Sequence, residues 1–273
     1  MTNLVAVPVG REKIAAIHAR ELPQKDMLCG CFWGAVILGA AGVDRVDQDR
    51  VAEHTGTTLP EGDSAGDVPP GEAPRRDYRI ALPRAADPAE AGTAAPALAR
   101  AIEELTEGKL AVVPIAGPWN AESVGRLFEA AAAAPEATLL ANVRTGPFWG
   151  TRAHPSLLLD YLEGKEVEAP PHEWDVGHFV NLAALVRGPG GSLVVVRDSY
   201  RSLGWEGHHL QPATAIARAL ARGDGREGGV LCVASAAGAG SLEASLLEAG
   251  FVVRHWDNGT PERVRAGQGP ARI

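Results

Sequence analysis

Three residues, far apart in the chain, have types and settings that suit thiol chemistry. Cys29 lies where a polar turn, Gln24 to Leu28, gives way to an apolar run. A helix N-terminus presents unpaired N–H groups and partial positive charge, which favour a thiolate and later an oxyanion. Gly30 lets backbone approach a substrate. Gln24, five residues before Cys29, offers a side-chain amide as a second oxyanion donor. His178 opens an apolar run just after Gly177, and Asp198 ends the next one. An acid beside an imidazole fixes its tautomer, and the imidazole can then carry the thiol proton.

These residues need elements to place them. Arg11 to Leu22 has the spacing of an amphipathic helix, stopped by Pro23. The stretch from Cys31 to Gly42 is apolar on nearly every side and predicts a central buried helix. His178 to Arg187 and Ser192 to Asp198 read as two strands joined by a turn at Gly188 to Gly191. Counted from that turn, with allowance for a bulge, His178 and Asp198 fall at the same end of the hairpin. Val46 to His54 suggests a short helix, and Asp77 to Pro83 a short strand. Helices are expected at Ala95 to Glu107, Ala121 to Ala134, Gln211 to Arg222 and Leu242 to Ala249. Strands are expected at Leu110 to Ile115, Ala137 to Val143, Gly229 to Ser235 and Phe251 to His255. Gly238-Ala-Gly240 reads as a tight strand-to-helix turn. The chain is expected to be one domain, with a surface loop at 57–76, an insertion at 110–171 and a flexible tail at 260–273.

This order of residues resembles the papain-like cysteine peptidase fold. It is most similar to the double-glycine leader peptidases of peptide-export transporters and their stand-alone relatives. Those place Gln, then Cys-Gly, at the start of a central helix, with a His opening one strand and an Asp or Asn ending the next. The residues that carry the likeness are Gln24, Cys29-Gly30, His178 with Phe179-Val180-Asn181-Leu182, and Asp198-Ser199. The resemblance implies an α+β fold with a central helix packed on an antiparallel sheet. It assigns Cys29 as nucleophile, His178 as base, Asp198 as its orienting acid and Gln24 to the oxyanion hole. The implied substrate is a peptide or precursor peptide, as in leader removal during bacterial peptide natural-product (RiPP) maturation.

Other readings of the same residues stay open. Cys31 competes as nucleophile, Asp175 as the acid, and His172 or His208-His209 as base. A silent papain-like binding protein and an amide-forming acyltransferase would use the same layout. Trp149 and Trp174, in loops, could rim a peptide groove beside Gly30 and Gly177, or plug the core.

Bulk properties narrow the class. The 273 residues are 45% hydrophobic and 22% charged, with formal net charge −8, an ordinary globular balance. An acidic chain without a basic run argues against a nucleic-acid partner. No stretch reaches the roughly 18 apolar residues of a membrane span. The N-terminus lacks a secretory layout, and three cysteines without metal spacing suit a reduced, cytoplasmic protein. No cofactor or metal is expected, and the oligomeric state is not legible.

Overall fold

The central strands are buried at nearly every position, so both faces of the sheet are covered by helices. The computed structural model describes residues 4–62, 68–134 and 136–263. The chain runs β1 (Val5–Pro8), α1 (Ile14–Glu21), α2 (Cys29–Ala40), α3 (Gln48–Thr55), β2 (Leu59–Pro60) and β3 (Arg84–Ala85). It continues α4 (Ala95–Leu105), β4 (Leu110–Ala116), α5 (Ala121–Ala132), β5 (Thr138–Arg144) and α6 (Pro155–Leu162). It ends β6 (Gly177–Arg187), β7 (Ser192–Arg197), β8 (His208–Pro212), α7 (Ala213–Ala221), β9 (Gly229–Ser235), α8 (Ala236–Glu248) and β10 (Val252–Val253).

One sheet dominates, in the order β10-β4-β9-β5-β6-β7-β8, with β1 also on β6. Its pairings are all antiparallel. β5 pairs with the first half of β6 and β1 with the second. On β9, Val230, Cys232 and Ala234 face one core, together with Leu127 and Phe128 of α5, Ile216 of α7 and Leu242 of α8. Leu231 and Val233 face the other core, against Phe32, Val36 and Ile37 of α2 and Leu98 of α4. The α+β class with an antiparallel sheet and a helix packed on it is therefore as expected.

The hairpin has the expected form. Asn181 pairs with Arg197, and the register shifts between Leu182 and Ala184. The extra residue, Ala183, also changes the parity of the strand. Val180 and Leu182 face the same core as Leu185, three positions on. This bulge brings the His178 end of β6 level with the end of β7.

Several boundaries differ from the sequence reading. The 110–171 stretch is no appendage, because β4 and β5 sit at the centre of the sheet with β9 between them. Asp77 to Pro83 is irregular rather than a strand. Its polar groups hold neighbours instead: Tyr78 donates to the Asp26 carbonyl at 2.8 Å. The chain from Gln211 begins as the end of β8, and the helix starts only at Ala213. Gly238 and Gly240 lie inside α8, whose N-cap Ser235 accepts from Gly238 N–H. The proposed loop at 57–76 contains β2, and its residues 63–67 lie outside the described residues, as does the proposed tail from 264 onward.

Candidate active site

The turn before α2 is pinned from several sides. Gln24 N–H donates to the Ser199 carbonyl at 2.9 Å. Lys25 N–H donates to Gln48 Oε1, and its buried ammonium reaches Asp49 Oδ2 at 2.7 Å. Arg75 N–H donates to Asp26 Oδ1 at 2.8 Å. Met27 adopts φ 62°, a left-handed conformation that is costly for a residue with a side chain and is held here by the bonds on either side of it. Leu28 is the N-cap and supplies no side-chain cap. No capping side chain therefore claims the first-turn N–H groups.

Ten of the twelve residues of α2 are buried, so the helix is fixed by packing on all sides. Trp33 donates its indole N–H to the Phe179 carbonyl at 3.0 Å. That bond ties the helix carrying Cys29 to the strand carrying His178. Gly30 faces inward: a Cβ there would meet Thr93, Leu98 and Phe179 at 3.1–3.3 Å. Its smallness serves helix-to-strand packing rather than the substrate approach expected of it.

His178 and Asp198 are both almost fully buried. His178 Nε2 donates to Asp198 Oδ1 at 3.0 Å. The carboxylate can only accept, so Nε2 carries the proton and Nδ1 is left for the thiol. Burial disfavours the charged imidazole, but the charge and hydrogen bond of Asp198, joined by those of Cys29, outweigh it and raise His178 to about 10. Burial also works against the Asp198 carboxylate. The His178 and His209 imidazoles overcome it and hold Asp198 well below the usual carboxylate range.

Asp198 is held more firmly than the sequence showed. Ser199 N–H donates to Oδ1 at 2.7 Å, and the buried His18 Nε2 donates to the backbone carbonyl at 2.6 Å. His209 Nε2 lies 3.6 Å from Oδ2. The tautomer of His209 follows from its neighbours. Gln211 Oε1 accepts from Trp149 N–H at 2.7 Å, so its Nε2 donates, to the Trp149 carbonyl at 2.9 Å and to His209 Nδ1 at 3.1 Å. His209 therefore carries its proton on Nε2, aimed at Asp198. His209 is a positioning residue. His209→Phe keeps the ring packed near Phe148 but removes the donor. The Nε2–Oδ2 separation of 3.6 Å is beyond a hydrogen bond, so what is lost is a weak polar contact, expected to cost no more than about 1 kcal/mol in urea unfolding.

A cleft of about 520 Å³ opens in front of these groups and is lined by Gln24, Met27, Cys29, Trp174, Gly177 and His178, among others. Cys29 is partly exposed. Gln24 Oε1 accepts from Ser199 Oγ at 2.5 Å, which leaves its NH₂ group as the available donor. Trp174 stacks edge-on against His178 at 4.9 Å and shields the imidazole.

Other candidates fall elsewhere. Trp149 is away from the cleft, packed against Tyr161 at 5.2 Å and beside Leu158 and Leu162. It acts on the site only through its backbone and Gln211. Cys31 is fully buried, with hydroxyls of Thr57 and Thr93 at 3.1 and 3.4 Å, and burial pushes its thiol up. Cys232 is likewise core, and burial raises it. Asp175 pairs with Arg144 at 2.6 Å rather than with His178. His172, whose ring is 6.0 Å from Phe148, makes no hydrogen bond or ion pair to the Cys29–His178 pair among those described, and His208 turns to His18. Among the described residues no cluster of His, Cys, Asp and Glu is arranged to hold a metal, and no helix is long and apolar enough to cross a membrane.

The sequence reading missed Ser199 as a bridge, His209, Gln211, and Arg144, Arg222 and Arg226, which also line the cleft. The His208-His209 pair was the available signal: neighbours on a strand point to opposite faces, so one of them had to face the hairpin core.

A protein-family model described as "Family of unknown function (DUF6885)" matches residues 8–257. No curated protein matches the chain.

Proposed function

We propose that this chain, which belongs to the DUF6885 family of unknown function, is a papain-like cysteine peptidase acting on a peptide or precursor peptide. The observation that carries this reading is that Cys29, at the mouth of a buried helix, lines the same cleft as a His178 imidazole whose Nε2 is fixed on the buried Asp198 carboxylate. The placement of α2 across a sheet whose neighbouring strands supply the base and the acid supports the papain-like architecture.

In the proposed cycle, His178 Nδ1 takes the Cys29 proton and the sulfur attacks the scissile carbonyl carbon. The carbonyl oxygen becomes an oxyanion, held by the backbone N–H of Cys29 and the Gln24 amide. The tetrahedral species collapses, the C–N bond breaks, and His178 protonates the leaving amine. Water, deprotonated by His178, then attacks the thioester and releases the acid and the free thiol. Asp198 keeps the imidazole in one tautomer throughout.

The test is incubation with a mixture of unmodified peptides, followed by mass spectrometry for new termini and for an acyl adduct on Cys29. Cys29-dependent cleavage supports the reading. A native protein that cuts no peptide and forms no adduct would favour a silent binding protein on the same fold.

A further inference from the structure

The cleft carries more than the thiol and the imidazole. Arg144, Arg222 and Arg226 line one part of it, with Asp175 and Asp224 as the facing carboxylates. The chain as a whole has 34 acids against 26 basic residues, so three guanidiniums against two carboxylates inverts the local balance.

The three arginines are not equivalent. Arg222 is almost buried and grips Asp224 with two parallel bonds, at 3.0 and 2.6 Å. Its remaining NH1 group donates to Asn142 Oδ1 at 3.3 Å. That fork is satisfied and fixes the floor. Arg144 spends Nε and NH2 on Asp175, while its NH1 lies 3.6 Å from Asp224, beyond a hydrogen bond. Arg226 donates NH2 to the Ala89 carbonyl at 2.9 Å and has no carboxylate partner among the described residues. Gly259 leaves room for its guanidinium, since a Cβ there would clash with Arg226 Nε. Gly177, beside His178, lies next to this floor, where a Cβ would just touch Arg222.

We propose that this end of the cleft binds a carboxylate of the acyl substrate against Arg144 and Arg226, so that the site selects an acidic group near the bond attacked by Cys29. Arg144 NH1 and Arg226 Nε and NH1 remain to donate to such a carboxylate, and partial burial limits screening. The proposal rests on Cys29 being the nucleophile.

Three alkylating probes test it without a known substrate: the iodoacetyl derivatives of glutamate α-amide, glutamine α-amide and glutamine with a free α-carboxyl. In each, the Cys29 sulfur displaces iodide and forms a thioether, read by intact mass. Rates are divided by those with 2-mercaptoethanol. At low salt a charged probe should outpace the neutral one by about tenfold or more. The ratio should fall toward one in the double variant Arg144→Gln/Arg226→Gln, and also on adding salt. Whichever charged probe gains more tells a side-chain carboxylate from a chain terminus. A ratio near one in the native protein overturns the proposal, as does a high ratio that survives in the double variant. If Cys29 reacts with every probe no faster than the free thiol, the proposed function itself fails, a result distinct from lost charge selectivity.

Discussion

Cys29→Ala should lower peptide turnover by on the order of 10⁶, the scale seen when a covalent nucleophile is removed from an enzyme of this logic. The size of the effect follows from the lack of a substitute. Cys31, two residues on, is fully buried with its sulfur among the hydroxyls of Thr55, Thr57 and Thr93. It is not among the residues that line the cleft with His178. The fold should hardly notice the change, because Cys29 is partly exposed and the helix is fixed by the residues around it. A melting curve beside the activity assay separates the two effects. Turnover that survived in Cys29→Ala would remove the acyl-enzyme mechanism.

The second large effect is expected from Asp198→Asn. The carboxylate sits between two imidazoles, and its loss leaves His178 buried without its counter-charge. Breaking a buried pair from one side costs about 3–5 kcal/mol, or roughly 6–20 °C in Tm for a chain of this size. Turnover should fall by about 10²–10⁴, because the asparagine amide can hold the wrong tautomer of the base.

The stability gap should also depend on pH, with a definite sign. His178 is raised from 6.5 to about 10, so its contribution is complete below 6.5 and is lost as pH rises through about 10. Asp198 is depressed, so its contribution is present above 3.8 and is lost as pH falls below that value. Native protein and Asp198→Asn should therefore differ most between about pH 4 and 6.5 and converge toward pH 10. Urea unfolding across that range checks both arms.

Much of the site was legible because its parts stand at element boundaries. The passage from polar turn to all-apolar helix located Cys29. The glycine turn at Gly188 to Gly191 fixed the hairpin, and counting from it placed His178 near Asp198. What failed to show depends on pairing between distant strands. β8 has only five residues and no clear alternation, so no strand was expected there and the helix was started at Gln211. Its register, with Val196 opposite His209, is what delivers the second imidazole to Asp198. The 110–171 stretch looked like an insertion because β9, which joins β4 to β5, comes from more than eighty residues downstream. Trp149 stayed open between groove and core because a tryptophan in a Gly/Pro-rich loop has no local mark of burial. Only tertiary packing on α6 turns it inward.

The account depends on a working partnership between Cys29 and His178. Its most direct test is the rate of Cys29 alkylation by iodoacetamide at pH 6 in the native protein and in His178→Ala, against 2-mercaptoethanol. Native Cys29 should react about 10²-fold faster than the free thiol, and His178→Ala should bring it to parity. A native rate equal to that of the free thiol, or one unchanged by His178→Ala, would contradict the account.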